Sequence, residues 1–424
     1  MQRRQALLSL SVAVSRLFGI PQYPGALSNR PANPPPNGLI DDSQISIHTA
    51  QDIESKRQAL GQFIWGSSGF PQPTLLPSKV LQDICHSSSA NIFPAKDPCS
   101  FSGTMTNLAR VDEIHVVTHP LHPGLAYHFV PAQSNNQLVV VHQGHVRFLS
   151  DTLHGSYPAG VSATIRALVK AGYGVLGVYM PHTHPDDPAT GCIGTDAHDA
   201  MFGVHNACAQ LYSAQTGSPL QYFLDPVAFS LNYLKTHSAS DNFPEYRIFH
   251  MIGLSGGGWT TTVYSAIDPT IQVSIPVAGS LPLYLRPSPD DGEQAVEGFY
   301  KIAGYPDLYV LGAYGASRKQ IQVLNRYDAC CFGDTEYRSG FGTFDRAVQE
   351  YEKKVRETLT HLGQGSFTLI IDEKKPSSYK ITLDEDRAHW ISQWAIDNVI
   401  LPQLATGFVA STAANILQSA FGSD

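Results

Sequence analysis

The stretch Ile248-Phe249-His250-Met251-Ile252-Gly253-Leu254-Ser255-Gly256-Gly257 decides how this chain is read. Residues 247–252 form an apolar run of strand character, and residues 260–266 have helical character. Between them lies Gly253-Leu254-Ser255-Gly256-Gly257, a Gly-x-Ser-x-Gly pattern placed where a strand turns sharply into a helix. A serine held in such a turn needs neighbours without Cβ atoms on both sides. The turn lifts the serine hydroxyl clear of the sheet. It also leaves the N–H of Gly256 at a helix N-terminus, where it faces any negative charge that develops there.

The surrounding chain supplies a sheet for this turn. Residues 109–118 alternate apolar and polar side chains, with Val111, Ile114 and Val116 among the apolar ones. A turn at Pro123-Gly124 leads into residues 125–130, which read as the hairpin partner. Residues 138–141 are an uninterrupted apolar run, as expected of a strand buried on both faces. A helix over 161–170 stops at Gly172, and residues 174–179 form the next buried strand. A helix over 225–236 follows, with Pro226 near its start, and then the strand 248–252. Further strands are expected at 271–277, 321–324 and 367–371, and further helices at 346–362 and 389–404. Strand and helix alternate from residue 138 onward, which predicts an α/β architecture. Its sheet is mostly parallel with an antiparallel lead-in, and helices cover both faces.

Two connections, 181–221 and 281–319, are too long for ordinary loops. Both leave the carboxyl ends of strands, where open α/β sheets bind ligands, and are expected to roof the site as lid insertions. The remaining organisation is a leader and proline-rich linker over 1–40, a helical extension over 41–108, and the sheet domain over 109–424. In the leader, Arg3 and Arg4 precede a short apolar stretch and Ala13-Val14-Ser15 offers a small-x-small cleavage pattern, as in a secretory signal. The six cysteines are Cys85, Cys99, Cys192, Cys208, Cys330 and Cys331. Cys85 with Cys99, and Cys192 with Cys208, are close enough in sequence to bridge. These features favour a secreted or periplasmic location over a cytoplasmic one. Charged residues make up 15% of the 424, the net charge is −8, and no basic stripe with interleaved aromatics occurs, so nucleic-acid binding is not expected. Nor is stable membrane insertion, for no apolar run in the body of the chain is long enough to span a bilayer.

A serine hydroxyl is a poor nucleophile at neutral pH. It needs a histidine to take its proton and a carboxylate to fix that histidine's tautomer. On a sheet of this kind the order is serine, acid, histidine, each at the end of its own strand. The chain offers Ser255, then Asp328 after strand 321–324, then His389 after strand 367–371. Asp334 competes with Asp328, which stands closer to its strand end. His361 is the other histidine beyond Asp328, but it ends a helix and falls on the wrong side of the sheet. The second oxyanion donor is expected from His142-Gln143-Gly144-His145, with the His145 N–H favoured over that of Gly144, beside Gly256 as the first. His142 also reads as a structural histidine that braces this loop. A denser group, His182, His184, Asp186, Asp187, His198, Asp199 and His205, has side chains suited to a divalent ion but no regular ligand spacing. No metal or other cofactor is assigned.

On the Gly253–Gly257 motif, the His-Gln-Gly-His loop and the order Ser255, Asp328, His389, the chain resembles the α/β-hydrolase superfamily from about residue 110 onward. Within it the antiparallel lead-in and late histidine resemble the branch of acetylxylan esterases, dienelactone hydrolases and prolyl-oligopeptidase-like enzymes. The resemblance implies a cofactor-free serine hydrolase acting on a small-molecule or polymer-borne ester through an acyl-enzyme. The competing readings are a serine peptidase of prolyl-oligopeptidase type, a metal-dependent hydrolase built on the histidine-rich insertion, and a non-catalytic binding protein of the same fold. Acyl and alcohol specificity and oligomeric state are not encoded in any motif.

Overall fold

In the computed structural model the described residues are 44–86, 97–103, 105–118, 123–144, 160–181, 217–286, 292–328, 332–334, 343–374 and 390–405. Nine strands form one sheet: β1 (Lys79–Leu81), β2 (Leu108–Val116), β3 (Gly124–Pro131), β4 (Gln137–His142), β5 (Gly174–Val178), β6 (Ile248–Leu254), β7 (Ile271–Val277), β8 (Lys319–Asn325) and β9 (Ser366–Asp372). Their spatial order is β1-β2-β3-β5-β4-β6-β7-β8-β9. The pairs β1/β2, β2/β3 and β3/β5 are antiparallel, and every pair from β5 to β9 is parallel. The sheet is thus mostly parallel with an antiparallel start.

Register brings the carboxyl ends of the central strands level. His142 lies opposite Gly253, Leu254 opposite Val277, and Asn325 opposite Asp372. The two-residue side-chain period divides the core. Leu138 and Val140 join one apolar cluster and Val139 and Val141 the other. Five long helices cover the first face: α1 (Ala50–Trp65), α4 (Gln221–Thr236), α5 (Gly256–Ile267), α7 (Tyr305–Ala313) and α8 (Phe344–Leu362). The second face is covered by α3 (Val161–Lys170) and the terminal helical segment, α9 (Gln393–Ala395) continuing through a π turn over Ile396–Ile400. Two short helices, α2 (Asp97–Ser102) and α6 (Glu297–Ile302), also lie among the described residues.

Local sequence explains the helix ends. In α8 the buried side chains Phe344, Ala347, Val348, Tyr351, Val355 and Leu359 recur at helical spacing. Thr343 caps its start by accepting from Arg346 N–H, and Gly363 ends it at φ +76°. Thr49 and Asp52 form a reciprocal capping box at the start of α1.

The extension is bound into the body of the fold. Ser46 donates from N and Oγ to Asp307 at 2.8 and 2.7 Å, Lys56 pairs with the same carboxylate at 3.2 Å, and Trp65 Nε1 donates to Asp225 at 2.7 Å. It also supplies β1 as an edge strand, and a disulfide joins Cys85 to Cys99. Three sequence expectations are revised. α4 begins at Gln221, so Pro226 sits inside the helix and not at its first position. The terminal helix begins at Gln393 behind the cap Ser392, a few residues later than residue 389. The connection 281–319 contains α7, a buried crossover helix packed on α5, so that part is ordinary βαβ structure and not roof.

Candidate active site

The elbow carries a serine in a strained backbone conformation. Ser255 has φ +57° and ψ −123° and is 4% exposed. A residue with a Cβ avoids this region, and holding one there costs about 1–3 kcal/mol. The surroundings impose it. Ser255 N–H donates to Val277 O at 2.9 Å, and Ser255 O accepts from Trp259 N–H at 2.9 Å. The first bond ties the residue to the end of β7, and the second makes it the start of α5.

Backbones converge so closely here that side chains are excluded. A Cβ on Gly253 would lie 2.0 Å from Gly257 O, and one on Gly257 would lie 2.3 Å from His142 O and 2.6 Å from Gln143 O. The consequence is a helix that begins with three glycines, which have poor helix propensity. Three threonines follow in the next turn. Thr260, Thr261 and Thr262 hydroxyls donate back to the carbonyls of Gly256, Gly257 and Gly258 at 3.1, 2.8 and 3.1 Å. All twelve residues of α5 are buried, so these hydroxyls find their acceptors within the helix. The N-terminus of α5, with the Gly256 N–H, faces the site, and the Ser255 side chain does not cap it.

The loop after β4 packs against the serine. A Cβ on Gly144 would lie 2.8 Å from Ser255 Cβ and 3.2 Å from Ser255 Oγ. Gly144 N–H donates to Gln143 Oε1 at 3.0 Å and is therefore engaged within the loop. His142 is buried, and its Nδ1 lies 2.8 Å from Gln143 O, the bracing role its position suggests. His145 lies outside the described residues.

The two acid candidates differ sharply. Asp328 is fully buried in the turn that closes β8, with its N–H on Asn325 O at 3.2 Å. Gly333 folds back over it: a Cβ there would lie 2.1 Å from Asp328 O. Asp334 has a side chain 51% exposed and lies 3.9 Å from Arg326. Arg326 also holds Asp345 and Glu373, each at 2.6 Å, so Asp334 belongs to a surface ion cluster. Its guanidinium is pushed upward by the bonds to Glu373 and Asp345, and the Asp345 carboxyl is pulled down by Arg326.

His389 lies outside the described residues, but the chain immediately after it is anchored at this sheet edge. Asn325 Nδ2 donates to Trp390 O at 2.9 Å, and Ser392 Oγ donates to Asp372 while its own oxygen caps α9. Asp372 is a buried strand-terminal carboxylate that the sequence reading passed over. It holds the start of the terminal helix and also accepts from Lys374 N–H at 2.9 Å. Its only sequence signal was its place at the end of an apolar run, which Asp328 nearly shares.

His361 is exposed in the last turn of α8, away from this edge. The histidine-rich group 182–205 and the cysteines at 192, 208, 330 and 331 lie outside the described residues. Among the described residues no group of histidine, cysteine, aspartate or glutamate side chains is arranged to hold a metal ion, and no helix is long and apolar enough to cross a membrane.

No protein-family model matches the chain, and no curated protein matches it by sequence. Solved structures do match. A Bacteroides fragilis protein assigned as an acetyl xylan esterase superposes with a TM-score of 0.50 at 12% identity, over 81% of this chain and 80% of that one. Acetyl xylan esterase 1 from Thermoanaerobacterium sp. JW/SL YS485 matches at 0.39 and 11% identity, over 80% and 92% of the two chains. Est1E from Butyrivibrio proteoclasticus matches at 0.37 and 13% identity, over 69% and 99%. Taken with the strand order and the strand-elbow-helix unit, the first of these defines the architecture: the chain has the α/β-hydrolase fold.

Proposed function

We propose that the protein is a serine hydrolase that cleaves carboxylic esters through an acyl-enzyme. The observation that carries this reading is the strained Ser255 at the elbow, with the Gly144 loop against its hydroxyl and the start of α5 behind it. A fold that only needed a tight turn would be more stable with glycine at this position.

In the proposed reaction Ser255 Oγ attacks the ester carbonyl carbon as His389 takes its proton. Asp328 fixes the imidazole tautomer and stabilises the imidazolium. The carbonyl oxygen becomes an oxyanion that accepts from the Gly256 N–H and from a second donor on the loop after β4. The internal engagement of Gly144 N–H supports His145 as that donor. Collapse of the intermediate expels the alcohol, which receives the proton from His389. Water, activated by the same histidine, then attacks the acyl-enzyme and returns Ser255 to its starting state. The burial of Asp328 and the exposure of Asp334 within the Arg326 cluster support the former as the acid. The disulfide between Cys85 and Cys99 supports an exported protein, since such bonds persist in oxidising compartments.

The direct test is labelling by a fluorophosphonate followed by peptide mass mapping, with 4-nitrophenyl acetate turnover in parallel. Modification at Ser255, lost together with turnover in His389→Gln, is the expected result. Turnover without modification at Ser255 would remove the serine from the mechanism.

A further inference from the structure

The connection that leaves the sheet at β9 and returns at the terminal helix meets one buried carboxylate at both ends. Asp372, the last residue of β9, is fully buried. Its Oδ1 accepts from Lys374 N–H at 2.9 Å, where the chain departs, and its Oδ2 accepts from Ser392 Oγ, where the chain comes back. Ser392 needs no such partner to cap α9. Capping takes only its oxygen, which accepts from Ala395 N–H at 2.9 Å, and the hydroxyl proton is left for Asp372.

A bond from the neighbouring strand holds the same return. Asn325 ends β8 opposite Asp372, is buried, and donates from Nδ2 to Trp390 O at 2.9 Å. Between the two bonds Ile391 is fully buried in the second apolar cluster. Residues 390–392 are therefore fixed to the ends of two adjacent strands. The backbone of Asn325 also serves the acid turn, since its carbonyl accepts from Asp328 N–H at 3.2 Å. Asn325 thus touches both the turn that carries Asp328 and the chain that follows His389.

Burial makes this arrangement a poor choice for packing alone. An enclosed carboxyl group and an enclosed amide cost stability unless their bonds are made, and apolar side chains would fill a strand end without that cost. What the bonds add is direction. Proton transfer at a serine needs a closely placed imidazole, and a displacement of about 1 Å can slow a reaction by about 100-fold. His389 is joined to Trp390 by one peptide bond, so residues 390–392 are the anchor from which its side chain acts.

We propose that Asp372 and Asn325 are positioning residues: by holding residues 390–392 they set where His389 stands relative to Asp328. The inference rests on the ester-hydrolase reading above, and it assigns to neither residue a contact with substrate or reacting atoms. Loss of either bond should leave ester binding as it was and slow the steps in which the imidazole moves a proton.

Four variants test this on 4-nitrophenyl acetate, with each rate divided by the number of sites counted in a fluorophosphonate titration carried to completion. Partial unfolding lowers that count, whereas a misplaced histidine lowers the rate per counted site. Asp372→Asn has an acceptor on one side only, so it releases one end of the connection whichever way its amide turns. Asn325→Leu keeps the size but cannot donate to Trp390 O. Ser392→Ala removes the hydroxyl, and Ser392→Thr restores it. The expected result is a kcat per site lowered about 10- to 100-fold in the first three, with KM changed far less, and mostly recovered in Ser392→Thr. Wild-type kcat per site in Asp372→Asn and Asn325→Leu overturns the inference, as does a Ser392→Thr variant as slow as Ser392→Ala or a loss expressed in KM alone. Those results leave the ester-hydrolase reading in place. Wild-type protein that turns over the ester without labelling at Ser255 would undo that reading itself. If a variant fails to fold, as judged by urea unfolding, the remaining ones decide.

Discussion

Replacing Ser255 by glycine and by alanine separates two properties that this one residue combines. At φ +57° and ψ −123° a Cβ is strained by about 1–3 kcal/mol, and both serine and alanine bear that strain. Glycine does not, but its freer unfolded chain offsets about 0.4–1 kcal/mol of the gain. Ser255→Gly is therefore expected to be more stable than Ser255→Ala by up to about 2.6 kcal/mol. Against wild type, Ser255→Ala should change little beyond the loss of its hydroxyl contacts. Activity should behave otherwise: both variants lose the nucleophile, and kcat/KM on 4-nitrophenyl acetate should fall by about 10³- to 10⁶-fold in each. Urea unfolding followed by fluorescence gives the stabilities, and initial rates on the same preparations give the activities. A Ser255→Gly variant less stable than Ser255→Ala by about 0.4–1 kcal/mol, the unfolded-chain effect alone, would mean that no strain is stored at the elbow. Wild-type turnover in either variant would refute the assignment of the nucleophile.

Gly144→Ala should lower kcat on the same ester by about 100-fold or more, because its Cβ would lie 2.7 Å from Leu254 O and 2.8 Å from Ser255 Cβ and displace either the loop or the nucleophile; unchanged turnover would show that the close approach is dispensable. Asn325→Ala removes the bond to Trp390 O and should reduce stability by about 1–3 kcal/mol and kcat by a larger factor than KM, read from urea midpoints and steady-state rates. The buried Asp225 carboxyl is pushed up to about 6, mainly by burial. Between pH 4 and 6 the unfolded chain releases this proton while the folded one keeps it, so stability from this group is complete below pH 4 and lost above pH 6. Asp225→Asn keeps an acceptor for Trp65 Nε1 and should be more stable than wild type by up to about 3 kcal/mol at pH 8, the gain shrinking toward zero at pH 4 in urea titrations.

The sheet was legible because its strands are apolar runs bounded by turn residues. Residues 271–277 and the helix 161–170 coincide with the observed elements, and the elbow was marked by its glycines. What escaped the sequence did so for physical reasons. Tyr305–Ala313 is buried on every side, so it has no polar face to give a helical period and merged into a long connection. The first turn of α5 was hidden by Gly256-Gly257-Gly258, whose poor helix propensity gave no signal and whose place in the helix is set by the backbones packed around them. Pro226 drew the start of α4 too far along, because a proline at the first helical position is the commoner case. At the site, Ser255 was readable from local pattern alone. Asp328, Asp334 and Asp372 all follow strands closely, and only burial separates a half-exposed partner of Arg326 from two enclosed carboxylates.

Donors at the N-terminus of α5 can stabilise an oxyanion only if they hold still as charge develops, and a helix that starts with three glycines is a weak choice for that task. The far end of the same helix shows how rigidity is recovered. Arg318 Nη2 donates to Ser265 O at 2.6 Å and also reaches Asp268 O, and Arg57 Nε donates to Ala266 O at 3.2 Å. Two guanidinium groups thus occupy the C-terminal carbonyls, the end at which cations are favoured by the helix dipole. Arg318 also reaches Ile271 O at the start of β7, and both arginines bond the carbonyls that end α7. α5 is therefore fixed at its last turn to β7 and α7, and at Ser255 by β7. Arg57 belongs to α1, so the extension before the sheet is part of what holds the elbow helix. The glycines that let three backbones meet at the serine are tolerable because the anchoring has moved to the other end of the helix.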